Sequence, residues 1–122
     1  MDPWQRKQLR LALAWRRQEL VAELGRDMAR ARKEPFSELA GTVTDIGDAS
    51  VATLLADVGH AELSRDVAEL REVDAALARL ADGAYGTCVD CGADVGFERL
   101  RAEPAAARCV QCQTRHEKTY RR

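Results

Sequence analysis

Four cysteines spaced Cys88-x2-Cys91-x17-Cys109-x2-Cys112 constrain this chain more than any other feature. A CxxC turn lets two sulfurs reach one ion at about 2.3 Å each, and four thiolates complete the closed tetrahedral shell of a structural zinc site. Gly86 and Gly92 flank the first pair and supply the backbone freedom that such a knuckle needs. Two disulfides would require an oxidising compartment, yet the residues after Trp4 are charged rather than the apolar run of a secretory signal. A redox CxxC belongs beside a βαβ pattern, which this sequence lacks. One structural Zn2+ held by Cys88, Cys91, Cys109 and Cys112 is therefore expected. His116, four residues beyond Cys112, is an alternative fourth ligand by helical spacing. A shell closed by four thiolates has no open position for a reactive water, so no enzymatic activity is expected.

The remainder of the chain reads as helix. Apolar residues recur at Leu9, Leu13, Leu20, Leu24, Met28 and Ala31, with Leu11 and Val21 flanking, which is the stripe of an amphipathic helix. Asp2 is a candidate N-cap with Pro3 at the first helical position, and Pro35 ends the pattern. A helix over about 3–34 would be about 48 Å long. A second stripe runs through Val51, Leu54, Leu55, Val58, Leu63, Val67, Leu70, Val73, Leu77 and Leu80 to Asp82-Gly83, the glycine acting as C′ terminator. The chain has 5% aromatic and 32% charged residues. A core so poor in large side chains is thin, and a metal clamp at one end is useful to it.

Two helices of similar length with narrow seams predict an antiparallel coiled-coil hairpin. Charge supports the pairing: residues 1–34 hold nine Lys/Arg and five Asp/Glu, and residues 51–82 hold three and seven. Helix lengths place residues summing to about 90 opposite each other, so Arg16 and Arg17 are expected near Asp74. Trp4 and Trp15 are expected as core or seam residues, and His60 as a surface histidine. The predicted fold is all-α, with a hairpin over 1–82, a tip loop at about 35–50, and a four-cysteine zinc-finger module with a C-terminal helix over 83–122.

The tip segment, Pro35 to Ser50, carries Glu38, Asp45 and Asp48 and no Lys or Arg. Asp45 and Asp48 share a face if the segment begins a helical turn. Asp48 or Ser50 equally suits an N-cap of the second helix, and one carboxylate can serve both purposes. The net charge of −1 and the absence of a run of about 18 apolar residues predict a chain that neither spans a membrane nor carries a strong nucleic-acid footprint. Arg115, Lys118, Arg121 and Arg122 read as a solvated helix end favourable to the macrodipole.

Taken in order, the acidic tip, Tyr85-Gly86-Thr87-Cys88-Val89-Asp90-Cys91-Gly92, Arg99-Leu100-Arg101-Ala102-Glu103-Pro104 and Cys109-Val110-Gln111-Cys112 resemble the DksA/TraR family of bacterial transcription regulators. The resemblance implies a cytoplasmic monomer that binds RNA polymerase through its secondary channel, without sequence-specific DNA contact. It places the Asp45-Ile46-Gly47-Asp48 pair at the position of the family's DxxDxA tip motif, with Ser50 in place of the alanine. It makes Arg65 the basic residue that grips the channel rim. The positions where ppGpp-responsive members carry basic side chains are Glu72, Glu103 and Gln113 here, so the resemblance implies regulation without ppGpp synergy at that pocket. Two other classes compatible with the residues are a zinc-ribbon nucleic-acid binder and a general coiled-coil adaptor.

Overall fold

The computed structural model describes residues 1–32 and 61–120. Among the described residues there are four helices: α1 Pro3–Arg32, α2 Ala61–Asp82, α3 Phe97–Ala102 and α4 Val110–Tyr120. Among the described residues, the extended backbone is limited to one isolated antiparallel bridge, Thr87 to Asp94. The fold is all-α, as the periodicity predicts. The tip segment with Asp45, Asp48 and Ser50, the stretch from 51 to 60 with His60, and Arg121 and Arg122 lie outside the described residues.

The start of α1 is set by a reciprocal cap. The Gln5 amide donates to Asp2 Oδ1 at 2.7 Å, and the Asp2 amide donates back to Gln5 Oε1 at 3.1 Å. Two donors that the helix itself leaves unpaired are thereby satisfied, with Pro3 in the one position where a missing N–H costs nothing. The end of α2 is a Schellman motif: the Ala84 amide donates to the Arg79 carbonyl at 2.9 Å and the Gly83 amide to Leu80 at 3.4 Å. Gly83 adopts φ +79° to make that turn, a conformation that only glycine takes without penalty.

The chain divides into two compact units, Met1–Ala14 with Glu72–Arg122 and Trp15–Arg71. In the first, Leu9 and Leu13 from α1, Val73 and Ala76 from α2, and Tyr85, Val95 and Leu100 beyond it are buried. In the second, the buried residues are Leu20, Leu24 and Met28 from α1 with Val67 and Leu70 from α2. Every described leucine and methionine of the α1 stripe is thus inside. On α2 the seam shifts by one position near its end, where Ala76 is buried and Leu77 is half-buried.

One pairing is added to the expectations and one expectation is corrected. Arg16 binds Glu69, a partner that the sequence did not suggest, with Nε to Oε2 at 2.6 Å and Nη2 to Oε1 at 2.8 Å. Trp4 and Trp15 are not core or seam residues: they are 66% and 65% exposed. At about 100° per residue, positions 4, 11 and 15 fall opposite the buried face defined by Leu9, Leu13 and Leu20.

Candidate metal centre

Backbone hydrogen bonds build the first cysteine knuckle. The Val95 amide donates to Gly86 and the Cys88 amide to Ala93, both at 2.8 Å, which closes a small hairpin around Cys88 to Ala93. Within it the Gly92 amide donates to the Cys88 carbonyl at 3.0 Å. Gly92 holds φ +76°, so the sharp return of the chain after Cys91 depends on its lack of a Cβ.

The second knuckle is delivered by α3 and α4. The Asp94 carboxylate accepts from the Gly96 amide at 3.0 Å just before α3. Tyr85, buried beneath, donates its hydroxyl to the Pro104 carbonyl at 2.8 Å. Burial pushes the phenol up to about 12, so it remains a donor. Arg99 Nε donates to the Arg108 carbonyl at 2.9 Å, and this holds the strand of chain entering Cys109. The Cys109 carbonyl then accepts from Gln113 at 2.9 Å as α4 begins, placing Cys112 in the helix's first turn.

Two links join the knuckles directly. The Val89 amide donates to the Ala107 carbonyl at 3.0 Å, and Arg108 Nε donates to Asp90 Oδ2 at 2.7 Å. Sequence reasoning gave no structural role to Asp90, Arg108, Arg99 or Tyr85. A carboxylate inside the CxxC turn and an arginine just before Cys109 are the available signal for the ion pair, but nothing local dictates that they meet.

The four sulfurs converge. Cys88, Cys91, Cys109 and Cys112 place their Sγ atoms within 4.8 Å of one another, and the Cys91 and Cys109 sulfurs are 3.8 Å apart. Tetrahedral coordination at about 2.3 Å requires S–S separations of about 3.8 Å. The arrangement therefore fits a zinc ion, and all four cysteines are free of disulfide bonds. His116 is not part of the cluster. Cys88 and Cys112 are buried, whereas Cys91 is exposed.

Without a cation, four sulfurs this close share protons unequally. Backbone N–H groups of Cys109, Cys91 and Asp90 point at Cys88 and pull its thiol down to about 6, because a thiolate accepts those bonds better than a thiol. Cys112 is pushed up to about 12, chiefly by hydrogen bonding with Cys109 and Cys91. The backbone thus favours the thiolate at Cys88, and a bound divalent cation would hold all four sulfurs as thiolates.

Of the other expected site residues, Arg65 lies exposed on α2. Glu72 is exposed on α2, Glu103 is exposed after α3 with its carboxylate 3.6 Å from Arg99, and Gln113 donates to Glu117 at 3.1 Å on α4.

Residues 83–118 match the family described as the prokaryotic dksA/traR C4-type zinc finger. Across a longer span, the chain is 31% identical over 111 residues to the RNA polymerase-binding transcription factor DksA of Caulobacter vibrioides, covering 89% of this chain and 72% of that protein. The chain belongs to the DksA family. The transcription factor DksA2 of Pseudomonas aeruginosa has a similar structure, with a TM-score of 0.70 and 30% identity covering 100% of this chain and 90% of that one. DksA of Escherichia coli K12 is 33% identical over 45 residues, 37% of this chain and 30% of that protein. The coiled-coil hairpin with a four-cysteine module is the fold of this DksA family, and a structural zinc is its cofactor at the four sulfurs described above.

Proposed function

We propose that this chain is a transcription regulator that binds RNA polymerase directly. The observation that carries the reading is the similarity over 111 residues to a protein named for RNA polymerase binding, together with a sulfur cluster matched to the family's zinc finger. In this reading residues 1–82 form the working hairpin and residues 83–122 the zinc module. The hairpin enters the secondary channel, Asp45 and Asp48 with Ser50 act at its tip near the catalytic centre, and Arg65 grips the rim.

Carboxylates brought near a magnesium-dependent centre alter its electrostatics without performing chemistry themselves. The protein is therefore a regulator and not an enzyme, and it works as a cytoplasmic monomer. Among the described residues no helix is long and apolar enough to cross a membrane. Glu72, Glu103 and Gln113 offer two carboxylates and an amide where a polyphosphate needs cations, so its action is independent of ppGpp at that pocket. The similarity favours this reading over a nucleic-acid-binding zinc ribbon or a general adaptor.

Multi-round transcription with purified RNA polymerase tests the reading. The wild-type chain changes promoter output, and Asp45→Asn/Asp48→Asn loses the change while retaining polymerase binding. Equal activity of the two proteins rejects the tip mechanism, and a large ppGpp effect that depends on this protein rejects the pocket argument.

A further inference from the structure

The second cysteine knuckle is approached by a segment with little means of holding its own shape. Glu103-Pro104-Ala105-Ala106-Ala107-Arg108 runs between α3 and Cys109 outside the helices, and Pro104 to Arg108 are half-buried. Proline has no N–H to donate, and the alanines carry no polar side chain. An internal turn bond joins the Ala106 amide to the Glu103 carbonyl at 3.0 Å. Outside donors meet the carbonyls that follow. Pro104 accepts from the Tyr85 hydroxyl at 2.8 Å and Ala105 from Arg79 Nη2 at 3.5 Å. Ala107 accepts from the Val89 amide at 3.0 Å and Arg108 from Arg99 Nε at 2.9 Å.

Two of these donors come from the exit of α2. Arg79 lies in the last turn of that helix, and its carbonyl accepts from the Ala84 and Tyr85 amides at 2.9 and 3.2 Å. The Gly83 turn therefore locks the backbones of Arg79 and Tyr85 together, and their side chains reach the consecutive carbonyls of Ala105 and Pro104. Tyr85 is 7% exposed, and a buried donor holds its carbonyl more firmly than one that competes with water. The Arg79 contact is longer, but it brings a full charge to a carbonyl dipole in a half-buried place. Cys109 follows Ala105 by four positions, so whatever fixes this segment fixes the approach of the Cys109 and Cys112 sulfurs. Groups that orient ligands govern metal affinity without touching the metal.

We infer that Arg79 and Tyr85 are positioning residues of the metal centre, and that metal affinity depends through them on the last turn of α2, outside the cysteine module. The coupling is reciprocal. A metal that fixes Cys109 and Cys112 also fixes the Pro104 and Ala105 carbonyls, and so secures the exit of α2. A tether that served only the fold would stabilise the metal-free and metal-bound chains equally and leave affinity unchanged.

Zinc affinity of the full chain, measured by competition with a chromophoric chelator, tests the coupling. Tyr85→Phe keeps the buried ring and removes the donor, and it should weaken affinity about threefold or more, the scale of one hydrogen bond. Tyr85→Phe/Arg79→Met should weaken it about tenfold or more. Arg79→Lys, which retains a cationic donor, should stay closer to wild type than Arg79→Met, and no recovery with lysine removes Arg79 from the proposal. Amide exchange gives the reciprocal reading: zinc should slow exchange at Ala84 and Tyr85 in the wild type, and the double variant should lose that slowing. Denaturation with and without zinc is the folding control, and the substitutions should cost more stability in the zinc-loaded chain than in the metal-free one. Affinity of the double variant within about twofold of wild type overturns the proposal. Equal losses of stability with and without zinc overturn it too, as does exchange at Ala84 and Tyr85 that zinc leaves unchanged. Should the double variant fail to fold, Tyr85→Phe alone decides, and unchanged affinity there overturns the proposal.

Discussion

Arg16 and Glu69 form a two-pronged ion pair between α1 and α2, with nitrogen to oxygen distances of 2.6 and 2.8 Å. Arg16 also lies 3.5 Å from Glu19 on its own helix, so the guanidinium is shared between a contact across the pair and one along it. The planar fork fixes a geometry that a lysine could not reproduce, and it therefore specifies register as well as adding attraction.

Hydrogen bonding to Arg16 holds the Glu69 carboxyl below its ordinary value. A depressed carboxylate contributes stability above its unfolded value, near 4.5, and that contribution disappears as pH falls through the lower folded value. Both side chains are about two-fifths exposed, so solvent screens the pair. Glu69→Gln should cost about 0.5 to 1 kcal/mol at pH 7, less at high salt, and nothing once both states are protonated. Thermal melts across pH and ionic strength measure it.

Asp66 has the opposite sign. Burial and then Glu23, Asp27 and Glu69 raise its carboxyl, so the folded state holds the proton more tightly than the unfolded chain. Its penalty is absent below the unfolded value and complete above the raised one. Asp66→Asn should therefore stabilise the protein at neutral pH by about 0.5 kcal/mol, the scale of like-charge repulsion between helical neighbours. The gain should vanish on acidification in chemical denaturation curves.

Zinc removal should act on the module rather than on the helices at large. Chelation is expected to release one zinc per chain and to disorder residues around Cys88 to Cys112 first, read by amide exchange. Arg108→Ala removes the 2.7 Å link to Asp90 between the knuckles. It should weaken zinc affinity by about tenfold, the lower end of the effect of supporting contacts around a metal site, in a competition assay with a chromophoric chelator. Unchanged affinity would mean that the Val89 to Ala107 backbone bond alone aligns the knuckles.

Gly83 carries a backbone prediction. A methyl group there meets nothing within 4 Å, so Gly83→Ala has no clash to relieve and pays only for φ +79°. The expected loss is about 1 to 2 kcal/mol, visible as a lower denaturation midpoint with an unchanged slope.

Several of these features were legible locally. The Asp2 cap, the Gly83 stop and the buried faces of α1 and α2 follow from residues within one or two turns of each other, so composition and spacing reveal them. The alignment of Trp4, Leu11 and Trp15 away from the stripe was also legible by helical geometry. The expectation that large aromatics are buried overrode it. The Arg16 partner was not legible, because register depends on residues 53 positions apart and helix lengths locate it only within a turn or two.

By itself, the sequence determined where the metal belongs and which faces of the helices are apolar, since both are written in short-range spacing that backbone geometry converts directly into position. Only the tertiary structure decided which charges meet across the helices, which residues tie the two cysteine knuckles together, and that the tryptophans face outward. Those outcomes depend on how distant segments pack, and local propensity carries no information about a neighbour that the chain reaches only by folding.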